Sequence, residues 1–149
     1  MSEDAAVTAG EEPAKTPYVK PLPEPTPVSQ PFWDAAREGK LLIQRSRKTG
    51  KPVFYPRSVS PYGPGDELEW FEASGRGTVY TYTEARRPTA PQWANDAPYV
   101  IAVVELEEGA RMTTNIVGCA PDEVRIGMPV VAVFDAVTPE TTLVKFRPA

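Results

Sequence analysis

Cys119 is the single thiol of the 149-residue chain, and the chain has no histidine. A nucleophilic cysteine needs a neighbouring base or cation to hold the thiolate, and no lysine lies near Cys119 in sequence. It therefore reads as a small buried hydrophobe. The acid pairs Glu107 with Glu108 and Asp122 with Glu123 fall in turn-like stretches, where adjacent carboxylates form a solvated face. Gly75-Arg76-Gly77 is too short for a phosphate-cradling loop and has no helix after it. No complete active site is visible. An enzyme in its own right would have to draw on Cys119 or Glu105.

Metal chemistry is the second candidate. Two turns presenting small polar residues, at Lys48-Thr49-Gly50 and within SVSPYGPGDE, have the layout of a zinc ribbon. A four-cysteine site needs thiolates in two close pairs for tetrahedral geometry. The matching places hold Ser46 and Thr49, then Ser60 and Gly63. Hydroxyls are poor zinc ligands at neutral pH and glycine has no side chain, so no zinc is expected.

These residues have to be positioned by strands. Tyr99 to Leu106 alternates in a β-branched run expected to be a central strand with both faces largely buried. Glu108-Gly109-Ala110 is a turn, and a second run from Arg111 to Val117 completes a hairpin. Lys40 to Arg45 and Lys51 to Arg57 read as a hairpin around the Lys48 turn. From Glu69 the pattern is of short strands: EWFEASG, GTVYTYTEA, the central hairpin, MPVVAVFDAV and TTLVKFRP. Five or six strands with almost no helical periodicity point to a small closed barrel. Gly75 and Gly77 are expected to bend or bulge the start of one of them. Arg86 to Pro98 is too rich in proline for regular structure and is a long loop of the kind that carries function.

Upstream, SQPFWDAAREG has Pro31 in the first turn and Gly39 as a stop, the marks of a short helix over Ser29 to Gly39. Phe32 and Trp33 in it serve either as core anchors or as a docking point for another chain. Residues 1–28 are acidic, then dense in proline, and read as an extended arm. The arm is either a free tail or a polyproline II segment, Tyr18 to Val28, wrapped along a partner. The net charge of −4 argues against a general nucleic-acid binder. One cysteine rules out an internal disulfide and suits a reducing compartment. No apolar run reaches transmembrane length and the first residues lack signal-peptide character, so a cytoplasmic location and no membrane association are expected.

The series PFWDAAREGKLLIQR, YPR, SGRGTVYTYT, APYVIAVVELEEGARMTTNIVG, VRIGMPVVAVF and KFRPA resembles the domain of unknown function 35 family, over essentially everything after Ser29. The resemblance implies a mainly β protein: arm 1–28, N-terminal helix 29–39, rubredoxin-like ribbon 40–67 and a five-stranded OB-fold barrel 68–149. The ribbon is degenerate, because all four zinc positions depart from the family's pattern. The resemblance also implies a non-catalytic accessory subunit of a thiolase-fold or lipid-transfer-protein-like partner, in a heterotetramer handling an acyl-CoA by carbon–carbon cleavage or condensation. Steroid side-chain or fatty and aromatic acid degradation are the implied settings. The catalytic residues would then sit on the partner.

Coenzyme A carries phosphates that call for cations near apolar surface. Arg45, Arg47, Lys48, Lys51 and Arg57 cluster in the ribbon, and Arg86 with Arg87 opens the loop that holds Trp93. These cations are the candidate contacts to acyl-CoA, with Phe32, Trp33 and Trp93 as candidate partner contacts; no other cofactor is expected. The alternative is a stand-alone OB-fold module for acyl-CoA or for a single-stranded nucleic acid stacked on Tyr80 and Tyr82. The acidic stretch Asp66, Glu67, Glu69 and Glu72 makes nucleic acid the weaker choice.

Overall fold

The computed structural model describes residues 17–149, so the first part of the arm lies outside the described residues. Among the described residues one α-helix, α1 (Gln30–Arg37), is followed by eight strands. β1 (Leu42–Ser46), β2 (Pro52–Val53) and β3 (Leu68–Glu72) form an antiparallel sheet in the order β2-β1-β3. β4 (Arg76–Ala85), β5 (Tyr99–Leu106), β6 (Arg111–Ile116), β7 (Pro129–Ala136) and β8 (Thr142–Pro148) close a barrel in the order β4-β5-β6-β8-β7. Among the described residues no helix is long and apolar enough to cross a membrane.

α1 starts after Ser29, whose hydroxyl accepts from Thr26 N at 2.9 Å instead of capping the helix. Pro31 supplies a preset first turn, and Gly39 at φ +75° ends the segment in a conformation that glycine adopts without strain. Phe32, Ala35 and Ala36 share one face, are buried, and lie against β1, β7 and β8. The small alanines let the helix approach the sheets closely, while Phe32 fills the gap beneath Trp33 and Phe54, at ring distances of 5.0 and 5.7 Å.

β3 corrects the sequence reading. By its pattern EWFEASG reads as part of the barrel run, but its strand pairs with β1, from Leu42 opposite Glu72 to Ser46 opposite Leu68. Pro52 and Pro56 limit the expected Lys51 to Arg57 strand to a two-residue ladder. β3 fills the other edge of β1 over five residues.

β5 also departs from expectation. Val100, Ala102, Val104 and Leu106 point into the barrel and are at most 2% exposed, but Ile101 on the other face is 37% exposed. Five strands enclose one core, and α1 with the ribbon covers only part of the outside. The bulge lies between Val79 and Thr81, not at Gly75 to Gly77. Gly77 serves a different need, a close approach: a Cβ there would lie 2.5 Å from the Glu105 carbonyl oxygen. β6 and β8 meet in parallel through one ladder pair, Ile116 with Phe146, supported by Val117 N donating to Phe146 O at 2.8 Å and by the Thr114 hydroxyl donating to Val144 O at 3.0 Å.

Candidate functional site

Two grooves open on either side of this thinly bonded β6–β8 seam. The first, of about 450 Å³, is apolar: α1 contributes Phe32 and Trp33, the ribbon Phe54 and Tyr55, and the barrel Met112 and Val144. The second, of about 420 Å³, is more polar and lies under the long loop, lined by Trp93, Asn95, Tyr99, Cys119 and Lys20 of the arm. Asn115 and Lys145 line both and form the ridge between them. Asn115 is held by donating to Val100 O at 2.9 Å, and the Lys145 ammonium by Asp135 at 2.6 Å. Lys20 pairs with Asp96 of the loop and its ammonium lies 5.1 Å from the Tyr18 ring, so this part of the arm rests on its own barrel. Tyr55 reaches the open half of β6 with its hydroxyl accepting from Thr113 N at 3.2 Å.

Sequence reasoning missed Lys20, Asn115 and Lys145. Lys20 belongs to a segment with no pattern of its own, and the two barrel residues are ordinary alternation positions until β6 and β8 are paired. The expected cations are distributed differently. Arg45 pairs with Glu69 at 2.8 Å and covers the Phe71 ring at 4.7 Å. Arg47 faces Glu67 and Glu69 at 3.5 and 3.8 Å. Arg86 turns to Glu84 at 3.3 Å. The Arg57 backbone is clamped by the Gln44 side chain, and the residue borders a shallow depression with Val28, Pro56 and Val59. None of Arg45, Arg47, Lys48, Arg57, Arg86 and Arg87 lines either large groove. Of the aromatics, Phe32 is core at 7% exposure, and Trp33 and Trp93 are half-buried in the walls of the two grooves.

The bulge separates the two tyrosines weighed as a base-stacking platform. Adding a residue resets the alternation of β4, so Tyr80 is exposed with Arg111 stacked 3.8 Å from its ring, while Tyr82 packs against the core. Cys119 lines the second groove without a base. Burial, then Glu123 and Asp122, push its thiol above the usual value. Alkylation of Cys119 at neutral pH is therefore expected to run slower than that of the same residue in urea-unfolded protein, and to accelerate as pH rises. Mass-spectrometric rates across a pH series check it.

The zinc positions do not fit zinc. Ser46 and Ser60 are buried hydroxyls, Thr49 Oγ1 accepts from Lys51 N at 3.3 Å, and Gly63 offers no donor. Among the described residues no group of three or more histidine, cysteine or acidic side chains is placed to hold a metal.

Residues 33–59 match the family profile described as the rubredoxin-like zinc ribbon domain of ChsH2, and residues 70–135 that of the ChsH2 C-terminal OB-fold domain. A DUF35 domain-containing scaffold protein of Methanothermobacter thermautotrophicus is 46% identical over 115 residues, 72% of this chain and 86% of that protein. The chain belongs to the DUF35 family. Within it, the DUF35 chain of an Ltp2-ChsH2(DUF35) aldolase superposes with a TM-score of 0.76 at 39% identity, covering 85% of this chain and 98% of that one. A probable enoyl-CoA hydratase alpha subunit of Thermomonospora curvata is 44% identical over 119 residues, 79% of this chain. The DUF35 chain described here spans 37% of that longer relative.

Proposed function

We propose that this chain is a non-catalytic accessory subunit that binds a thiolase-fold or lipid-transfer-protein-like partner in the cytoplasm. There it supports carbon–carbon bond cleavage or condensation of an acyl-CoA, as part of a heterotetramer. One observation carries the reading: 39% identity over 98% of the DUF35 chain of an aldolase whose name joins it to Ltp2. The absence of a base beside Cys119 and the pairing of Glu69, Glu105 and Glu107 with arginines agree with catalysis residing on the partner. The apolar groove suits an acyl or pantetheine segment, and of the cations weighed for its phosphates Arg45, Arg47 and Arg86 form ion pairs, whereas Lys48, Lys51, Arg57 and Arg87 form none among the described residues.

The test is co-expression with a lipid-transfer-like or thiolase protein of the same genome, followed by sizing and an acyl-CoA cleavage assay on the complex and on each chain alone. The expected result is a stable complex that is active only with both chains. Turnover by this chain alone, or failure to associate with any such protein, defeats the reading. Val59, 74% exposed beside Val28 and Arg57, gives a finer check. Val59→Asp is expected to leave the melting temperature of the free chain unchanged and to weaken the complex about tenfold or more, because large exposed aliphatics in a patch mark contact surface. An unchanged dissociation constant by calorimetry removes this patch from the interface.

A further inference from the structure

The ribbon's turns stay ordered around residues that cannot hold the ion on which such turns are normally built. We infer that the Asp66 carboxylate takes the structural place of zinc in this ribbon, joining its two turns through hydrogen bonds from the Ser60 hydroxyl and the Lys48 amide.

Ser46 ends β1 and is 1% exposed, and Ser60, in the opposite turn, is 7% exposed. Hydroxyls buried to that degree need partners. The Ser60 hydroxyl donates to Asp66 Oδ2, and the Ser46 hydroxyl is near enough to lower the pKa of the Asp66 carboxyl. The Lys48 amide, in the first turn, donates to Oδ1 at 3.3 Å. Each serine oxygen also accepts from its own turn, Ser46 from Thr49 N at 3.0 Å and Ser60 from Tyr62 N at 3.1 Å. The Tyr62 hydroxyl then ties the second turn to Pro52 O at 2.6 Å.

The polarity of a zinc site is thus inverted. There a central cation gathers anionic thiolates from two turns; here a central anion gathers donors from two turns. Charge-assisted hydrogen bonds are the stronger kind, and the Lys48 ammonium adds a favourable field. Thr49 takes part through its amide, and Gly63 contributes no side chain. Asp66 itself lies three residues past the last zinc position, in the Gly65-Asp66 approach to β3, so no comparison of the four positions alone would find it. Loss of the cysteines and retention of the ribbon's shape are then compatible.

The arrangement predicts an acid-sensitive, metal-insensitive ribbon. The Ser46 hydroxyl first, then that of Ser60, hold the Asp66 carboxyl below its usual range. A depressed folded pKa stabilises fully above the unfolded value, about 3.9 for aspartate, and the contribution disappears as pH falls through the folded value.

The test uses the full chain labelled with ¹⁵N. Zinc or a chelator is expected to leave the Lys48, Thr49 and Tyr62 amide resonances unmoved, and metal analysis to find no zinc. About one zinc per chain, with those resonances shifting on chelation, overturns the proposal. Asp66→Ala is expected to speed hydrogen exchange of these three amides about tenfold or more while β5 amides keep their rates, as local opening of one unit requires. Equal exchange in variant and parent overturns it. Should Asp66→Ala not fold, the unmodified chain decides: the Lys48 amide resonance follows a titration with midpoint below that of free aspartate, and a Lys48 resonance flat from pH 5 to pH 2 refutes the bond.

Discussion

Gly77→Ala is expected to destabilise the protein by about 3 kcal/mol, at the upper end of what overpacking one methyl group costs. The added Cβ would stand 2.5 Å from Glu105 O and 2.8 Å from Val104 Cγ1. Neither neighbour is free to move. Gly77 is flanked by Leu106 on β5 and by Val130 on β7, at the place where β4 closes the barrel. A shift of β4 away from β5 pushes it into β7, and Val104 and Val130 are fully buried in the common core. Gly75 offers the contrast: a methyl group there meets only the Ala132 side chain at 3.5 Å, and its cost is the strain of φ +78°. Urea unfolding of the free chain checks the prediction, with a lowered midpoint and an unchanged slope expected. A midpoint within error of the parent would mean that β4 and β5 are further apart than the structure has them.

Phe146→Ala is expected to cost about 3–5 kcal/mol, the range for removing a fully buried aromatic side chain. Phe146 is 0% exposed and belongs to the hydrophobic core cluster. Its backbone makes the one ladder pair between β6 and β8 and accepts from Val117. Loss of the ring removes packing from the seam with the fewest backbone bonds, so the damage is expected to be greatest there. Hydrogen exchange of β6 and β8 amides should rise more than that of β4 and β5. The two grooves share the seam as their wall, through Asn115 and Lys145. Phe146→Leu, which refills most of the volume, is expected to recover most of the stability. Equal loss in the leucine and alanine variants would show that ring shape, not cavity volume, decides.

Much of the fold is legible locally. The alternation in Val100 to Leu106, the turn at Gly109, the proline at the start of α1 and Gly39 after its end each act through backbone preferences of a few neighbouring residues. The helix and the central hairpin consequently stand where their residues place them. The pairing of β3 away from the barrel is not legible, because nothing within Leu68–Glu72 records that the second edge of β1 stays open to it. The bulge was misplaced because glycine marks both bulges and close approaches, and only the facing strand distinguishes them. For the candidate site, the ribbon and loop arginines stand out in sequence by type, yet the structure turns Arg45, Arg47 and Arg86 toward nearby acids. The grooves are instead lined by Lys20, Asn115 and Lys145, residues separated by up to 125 positions and brought together by barrel closure.

By itself the sequence determined the class of the protein, the degenerate zinc positions and the lack of a base for Cys119, because each depends on residue type and short-range order. Tertiary structure alone decided which face of β5 stays uncovered, where the grooves open, and that Asp66 meets Ser60 and the Lys48 amide. Those are contacts between distant segments, and their energies exist only once loop closure has been met by the burial of a shared core.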